Sequence, residues 1–212
     1  EKTIRDYNFV DICIRDEYDL TIREVCRTLS DNKSLASVPG ITFREMGRVI
    51  VNPSKPFEIS LDEIPFPDRD DWPIESYIQG FYAGKKTAMM VQSRGCPARC
   101  TFCIWPQTIT GHSHRRRSPK NVCDEIEYLK QKYGVDEVFF DDDTFIIDKT
   151  AGMELLTEMI NRKLDIPWMC MCRVNSVDPE VLAKMKEAGC TQVYYGFESG
   201  SQKILNSIKK GA

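Results

Sequence analysis

Apolar positions follow two rhythms along the chain, and the rhythm changes near residue 80. Before that point the pattern is broken. Tyr7 to Ile14 is a short apolar run that predicts a strand, and Leu20 to Leu29 carries Ile22, Val25, Cys26 and Leu29 at helical spacing. Ile41–Arg44 and Arg48–Val51 are two β-rich runs around Glu45-Met46-Gly47, which predicts a hairpin with glycine in its turn. From Asn52 onward five prolines (Pro53, Pro56, Pro65, Pro67 and Pro73) alternate with acids. Such a stretch disfavours regular structure and reads as an extended linker, which puts a domain boundary near residues 60–80.

Beyond residue 87 strands and helices alternate. Thr87–Gln92, Val135–Phe140, Ile166–Cys172 and Val193–Phe197 are the strand runs. The first helix has Ser118 as N-cap, Pro119 in its first position, an apolar face of Val122, Ile126, Leu129 and Tyr133, and Gly134 at its end. The second is marked by Met153, Leu156, Met159 and Ile160. The third is capped by Asp178 before Pro179, turns Val181, Leu182 and Met185 inward and stops at Gly189. A fourth begins at Ser201. Four βα units in sequence predict a parallel α/β sheet or a barrel. In such folds ligands sit at the carboxyl ends of the strands. Three cysteines follow the first strand and Asp141, Asp142, Asp143 and Thr144 the second. Arg173 and Asn175 stand at the third, and Glu198 and Ser199 follow the fourth. All four ends carry polar or metal-ligating groups, so they can converge on one site.

Composition narrows the function classes. The 212 residues are 42% hydrophobic and 29% charged, with a net charge of −3, an ordinary globular balance. Nothing in it attracts nucleic acid or an acidic membrane in bulk. No apolar run reaches the roughly 18 residues of a spanning helix. The chain lacks a basic-then-apolar leader and does not begin with Met. The expectation is a cytoplasmic protein without a transmembrane segment, present here as a piece of a longer polypeptide.

Of nine cysteines, Cys96, Cys100 and Cys103 alone have tight ligand spacing, C-x3-C-x2-C. The other six read as small buried hydrophobes. Thiolates select soft metals and iron–sulfur clusters, and a cubane normally takes four cysteines. Three would hold three corners and leave one iron open. Residues alone leave two alternatives standing: a zinc site completed by His112 or His114, and plain buried thiols. Asp141–Asp143 is a strand-end ligand group or a solvated turn. Arg115–Arg117 is an exposed loop entering the first helix or a contact for an anionic ligand.

C-x3-C-x2-C with Phe102 before its last cysteine resembles the signature of the radical S-adenosylmethionine superfamily. Y-Y-G-F-E-S-G-S (194–201), M-C-R-V-N-S-V-D-P-E (171–180) and F-F-D-D-D-T-F (139–145) resemble its subgroup with a cobalamin-binding domain. L-D-E-I-P-F-P-D-R-D (61–70) is similar to the join between those two domains, and V-D-I-C-I-R-D-E-Y-D (10–19) to the last strand and loop of the cobalamin domain. C-I-W-P-Q-T-I-T-G-H (103–112) followed by R-R-R-S-P (115–119) is similar to hopanoid-tailoring members.

The resemblance implies an architecture in three parts. Residues 1–37 would be the tail of a Rossmann-like cobalamin domain, 38–80 a hairpin and Pro-rich linker, and 81–212 the N-terminal part of a (β/α)6 barrel with four βα units present. It also implies a site. Cys96, Cys100 and Cys103 would bind a [4Fe-4S] cluster whose fourth iron is chelated by S-adenosylmethionine. Phe102 would lie near the adenine, and Glu198 at the ribose or methionine moiety with Ser199 beside it. Arg173 would pair with the methionine carboxylate, which suits a planar guanidinium, and Asp142 and Asp143 would stand at the amino group. No residue is given a catalytic role of its own. The implied activity is reductive cleavage of S-adenosylmethionine to a 5′-deoxyadenosyl radical acting on a small-molecule or lipid substrate, such as a hopanoid side chain. An external flavodoxin or ferredoxin would supply the electron. The cobalamin motif D-x-H-x-x-G is absent from these residues, so cobalamin is expected in the full-length protein. The alternative is an iron–sulfur electron-transfer module without radical chemistry.

Overall fold

The computed structural model describes residues 1–57, 60–71 and 86–211. It divides into two compact units: residues 1–59 with 104–112, and residues 60–103 with 113–212. Residues 72–80 of the expected linker and 81–85 of the expected barrel segment lie outside the described residues.

The first unit is built on a three-stranded antiparallel sheet. Its strands β1 (Ile12–Ile14), β2 (Ile41–Glu45) and β3 (Arg48–Val51) lie in that order. The predicted hairpin forms β2 and β3. Its two-residue turn, Met46-Gly47, has φ of 47° and 77°, the pair of positive values that matches the twist of the flanking strands. Val25 of α2 (Asp19–Ser30) packs with Leu35, Val38, Ile41 and Phe43 to make the core. β1 pairs with β2 from Ile12↔Phe43 to Ile14↔Ile41, so one sheet and one core cross the division at residues 37/38 drawn from the sequence. The predicted strand over Tyr7–Ile14 shrinks to three residues because only these find a partner. Tyr7 and Phe9 are 51% and 77% exposed. A one-turn helix, α1 (Lys2–Asp6), precedes it and buries Ile4. It is too short to show a period in the sequence. Residues 104–112, with α3 (Trp105–Thr108), group with this unit.

The second unit is a parallel sheet wound in one direction. β4 (Thr87–Met90), β7 (Glu137–Phe140), β8 (Trp168–Cys172) and β9 (Cys190–Tyr195) lie in chain order. Between them run α4 (Pro119–Tyr133), α5 (Lys149–Asn161) and α6 (Pro179–Glu187), and α7 (Gln202–Ser207) follows β9. A doubly wound sheet would reverse its order at a switch point, and none occurs among the described residues. The helix-side face of the sheet supplies Ala88, Met90, Val138, Phe140, Trp168 and Cys170 to one core. Val122, Ile126 and Leu129 of α4, Leu155, Leu156 and Met159 of α5, and Val181 and Met185 of α6 complete it. The opposite face carries a small cluster of Phe139 and Met169 with Met171 and Tyr194, as the period-2 alternation of a strand requires. The predicted caps act as expected. Ser118 accepts the Asn121 N–H at 3.2 Å and Asp178 the Val181 N–H at 2.9 Å. Leu182, expected inward, is 39% exposed.

Two features correct the linear reading. The expected linker is not free over residues 60–71 but strapped along α4. The Ser118 N–H donates to Asp62 Oδ1 at 2.8 Å, the Tyr133 hydroxyl to Asp70 Oδ1 at 2.8 Å, and the Arg69 guanidinium to the Met89 carbonyl at 2.9 Å. Prolines remove ladder donors but leave side chains free to anchor. The basic run is likewise no loose loop. β5 (Ser93–Arg94) and β6 (Arg115–Arg116) pair as a short antiparallel ribbon. Arg117 is 9% exposed and bonds Glu125 at 2.5 Å, and Arg69 bonds the same carboxylate at 3.2 Å. Among the described residues no helix is long and apolar enough to cross a membrane.

Candidate active site

The site begins where β4 ends. After the β5 half of the ribbon, Gly95 takes φ of 90°, a value a side chain would resist. Residues 95–103 then run on without helix or strand. Cys96 and Cys100 are buried at 8% and 7% exposure, Cys103 is half-buried, and the Phe102 ring is 52% exposed. The Cys103 N–H donates to the Cys100 carbonyl at 3.2 Å, which folds the end of the loop back on itself. The thiols come from one stretch of eight residues, as the spacing requires. Among the described residues no three His, Cys, Asp or Glu groups stand close enough together to hold a metal ion. The donor set still suits the expected group. Three soft ligands on an irregular loop, where side-chain rotation alone can redirect a sulfur, match three corners of a cubane.

Asp142 lies at the other side of the loop's root. It is 1% exposed. Its Oδ1 accepts the Ser93 N–H at 2.6 Å, the Ser93 hydroxyl at 2.6 Å and the Gln92 N–H at 3.1 Å. Burial pushes its carboxyl up to about 7 against the opposing pull of these donors, and nearby Asp143 adds to the rise. Asp142 therefore faces the β4–β5 junction, not an open cleft. Asp143 is half-buried beside it.

The remaining strand ends meet the cysteine loop directly. Arg173, just past β8, points Nη1 at Cys100 Sγ at 3.5 Å, and Nη2 donates to the Lys210 carbonyl. Asn175 Nδ2 donates to the Gly211 carbonyl at 2.6 Å. The Thr101 N–H donates to the Ile208 carbonyl at 2.9 Å, so the turn after α7 lies against the loop. Lys210 is 6% exposed, pairs with Glu198 at 2.9 Å and stands 5.8 Å from the centre of the Phe102 ring. Glu198 takes φ of 59°, a left-handed conformation that costs a non-glycine residue roughly 1 kcal/mol or more. Room for its side chain comes from Gly196, where a Cβ would sit 2.6 Å from Glu198 Oε1. The Ser199 hydroxyl accepts the Ser201 N–H at 3.1 Å at the start of α7.

Arg173 thus meets Cys100, and Lys210 lies between Glu198 and Phe102. Asp142 joins the group only through the loop's root. Sequence reasoning missed Lys210, which sat in a helix tail with no motif of its own. Its bulk charge looked like any surface lysine. His114 is half-buried with Nε2 unpartnered, and burial lowers its pKa.

A sheet wound in one direction, with a three-cysteine loop past its first strand and charged groups past the next three, defines an α/β fold arranged to hold a bound group at its strand ends. The family model described as the Radical SAM superfamily matches residues 90–212, and the chain belongs to that superfamily. It is 35% identical over 211 residues to an uncharacterized methyltransferase of Pyrococcus horikoshii, covering 100% of this chain and 45% of the relative. It is 29% identical to the cytidylyl-2-hydroxyethylphosphonate methyltransferase of Streptomyces wedmorensis, over 95% of this chain and 42% of that protein. Among solved structures it resembles the radical S-adenosylmethionine methyltransferase TsrM of Kitasatospora setae, with a TM-score of 0.78 and 18% identity over 99% of this chain and 42% of that one. TsrM has been solved with tryptophan and an S-adenosylmethionine analogue, and with cobalamin and a [4Fe-4S] cluster. At that identity the likeness speaks for the fold. The chain spans less than half the length of these relatives.

Proposed function

We propose that this chain is the cluster-bearing part of a radical S-adenosylmethionine enzyme. The barrel reading is part of the proposal: the four strands would be the first arc of a (β/α)6 barrel, and residues 1–37 the tail of a cobalamin domain. Cys96, Cys100 and Cys103 would hold a [4Fe-4S] cluster. When bound, the cluster would supply the electron for reductive cleavage of S-adenosylmethionine. The chain's own groups bind and orient that molecule. Phe102 offers an exposed ring for the adenine. Arg173 offers a guanidinium beside Cys100 for the carboxylate. Glu198 and Ser199 offer acceptors for the ribose or methionine moiety, and Asp143 would stand at the amino group. The single observation that carries this reading is the contact of Arg173 with Cys100 and of Lys210 with Glu198 and Phe102, which joins the ends of β8 and β9 to the cysteine loop.

Methyltransferase relatives, and TsrM with its cobalamin, support a cobalamin-dependent methyl transfer to a small molecule by the full-length protein. The hopanoid expectation rests on residues 103–112 and 115–119. Of these, Arg116 pairs with Glu154 and Arg117 with Glu125 within the fold, which leaves residues 103–112 as its support. A reducing cytoplasm, with flavodoxin or ferredoxin as electron donor, suits a chain with nine cysteines of which three have tight ligand spacing.

Anaerobic reconstitution tests the proposal. The expected result is a brown protein with stoichiometric iron and sulfide that cleaves S-adenosylmethionine under reduction, both properties lost in the triple Cys96→Ala, Cys100→Ala, Cys103→Ala variant. A reconstituted protein that leaves S-adenosylmethionine intact is an electron carrier, and one that takes up no iron is neither.

A further inference from the structure

Resting on that reading, we propose that Asp142 is a positioning residue: it fixes the root of the cysteine loop and does not touch S-adenosylmethionine. The resemblance gives it a place at the amino group. The geometry gives it another task. A carboxylate that receives a ligand's ammonium needs an open face. Asp142 is 1% exposed, and its Oδ1 already accepts three donors from Gln92 and Ser93. Gln92 joins β4 to the ribbon, Ser93 opens the ribbon, and Cys96 lies three positions beyond Ser93.

The surroundings make the same junction rigid from other sides. Gln92 Nε2 donates to the Phe145 carbonyl at 2.6 Å, and the Asp141 N–H donates to the Met90 carbonyl at 2.9 Å. The segment after β7 is thereby laced to the end of β4 and the residues beyond it through Asp141, Asp142 and Phe145. The Arg117 N–H donates to the Gln92 carbonyl at 2.8 Å, and its guanidinium donates to the Val91 carbonyl at 2.8 Å. Every backbone group from Val91 to Ser93 named here is held by a buried partner, and Asp142 supplies the acceptor for two of the N–H groups. Exposed loops are mobile by default, so a loop that must present three sulfurs in register needs such a fixed origin. Preorganisation of ligands by buried partners behind them is the general rule for metal sites.

The two roles make opposite demands on charge. A latch needs an acceptor oxygen at Oδ1, and asparagine keeps one. An ammonium ligand needs a carboxylate, and asparagine removes it. In the full-length protein we expect Asp142→Ala to accelerate hydrogen exchange across residues 92–103 by about tenfold or more, with or without the cluster. Asp142→Asn should restore slow exchange, give the same EPR signature as the unaltered protein and bind S-adenosylmethionine within about twofold of it. Ser93→Ala, which deletes one donor and keeps the fold, should show a partial acceleration. The proposal is overturned if Asp142→Ala leaves exchange unchanged, or if Asp142→Asn loses S-adenosylmethionine affinity as fully as Asp142→Ala. Failure of the unaltered protein to take up a cluster sinks the proposed function instead. The exchange measurement still reads the latch in that case.

Discussion

Asp142 also gives the clearest prediction at the scale of a single residue. An unfolded aspartate titrates near 3.8, whereas burial holds this one at about 7. Between those values the folded chain keeps a proton that the unfolded chain has released, so stability is greatest at the acid end of the window. It falls as pH rises through it. The shift of about three units corresponds to roughly 4 kcal/mol across the window. Asp142→Asn cannot titrate. The difference in unfolding free energy between unaltered protein and Asp142→Asn, measured by urea titration from pH 4 to 8, should move in favour of the variant as pH rises. A difference that stays flat would show that Asp142 keeps its ordinary value.

At the scale of elements, what was legible and what was not divide by range. Ser118, Asp178 and Gly134 announce α4 and α6 because caps act on neighbours three or four residues away. The hairpin of β2 and β3 was legible for the same reason. Asp148, which caps α5 by accepting the Ala151 N–H at 2.8 Å, was present in the sequence but hidden among the other acids. The ribbon of β5 and β6 joins residues about twenty apart through two rungs, too few for any alternation to show. Arg117 read as part of a solvated basic run because its partners, Glu125 and the strapped Arg69, are set by the packing of other elements. The Arg69–Glu125–Arg117 group predicts a specific fragility. Glu125 is 1% exposed, and its loss leaves two buried guanidinium groups facing each other. Glu125→Gln should cost about 3–5 kcal/mol in chemical unfolding. A loss below about 1 kcal/mol would show that the triad behaves as a surface pair.

At the scale of the molecule, the parallel sheet and the convergence of its strand ends followed from the alternation of apolar runs, which is a periodic signal. The placement of Arg173 against Cys100 also followed, since strand ends in one sheet share one edge. Two things did not. Lys210 reaches Glu198 from the far side of α7, a contact that depends on where the helix turns. The task of Asp142 depends on which way its side chain points, and adjacent carboxylates in an Asp-Asp-Asp run look alike in sequence.

In the proposed function, three cysteines hold a cluster with one iron open to S-adenosylmethionine. The most direct test is the EPR spectrum of the reduced, reconstituted protein with and without S-adenosylmethionine carrying 15N at its amino group, read by electron–nuclear double resonance. We expect a changed spectrum and a hyperfine coupling to that nitrogen, with the affinity weakened by Arg173→Met and by Glu198→Gln. A cluster whose spectrum is unaltered by S-adenosylmethionine, with no nitrogen coupling, would contradict it.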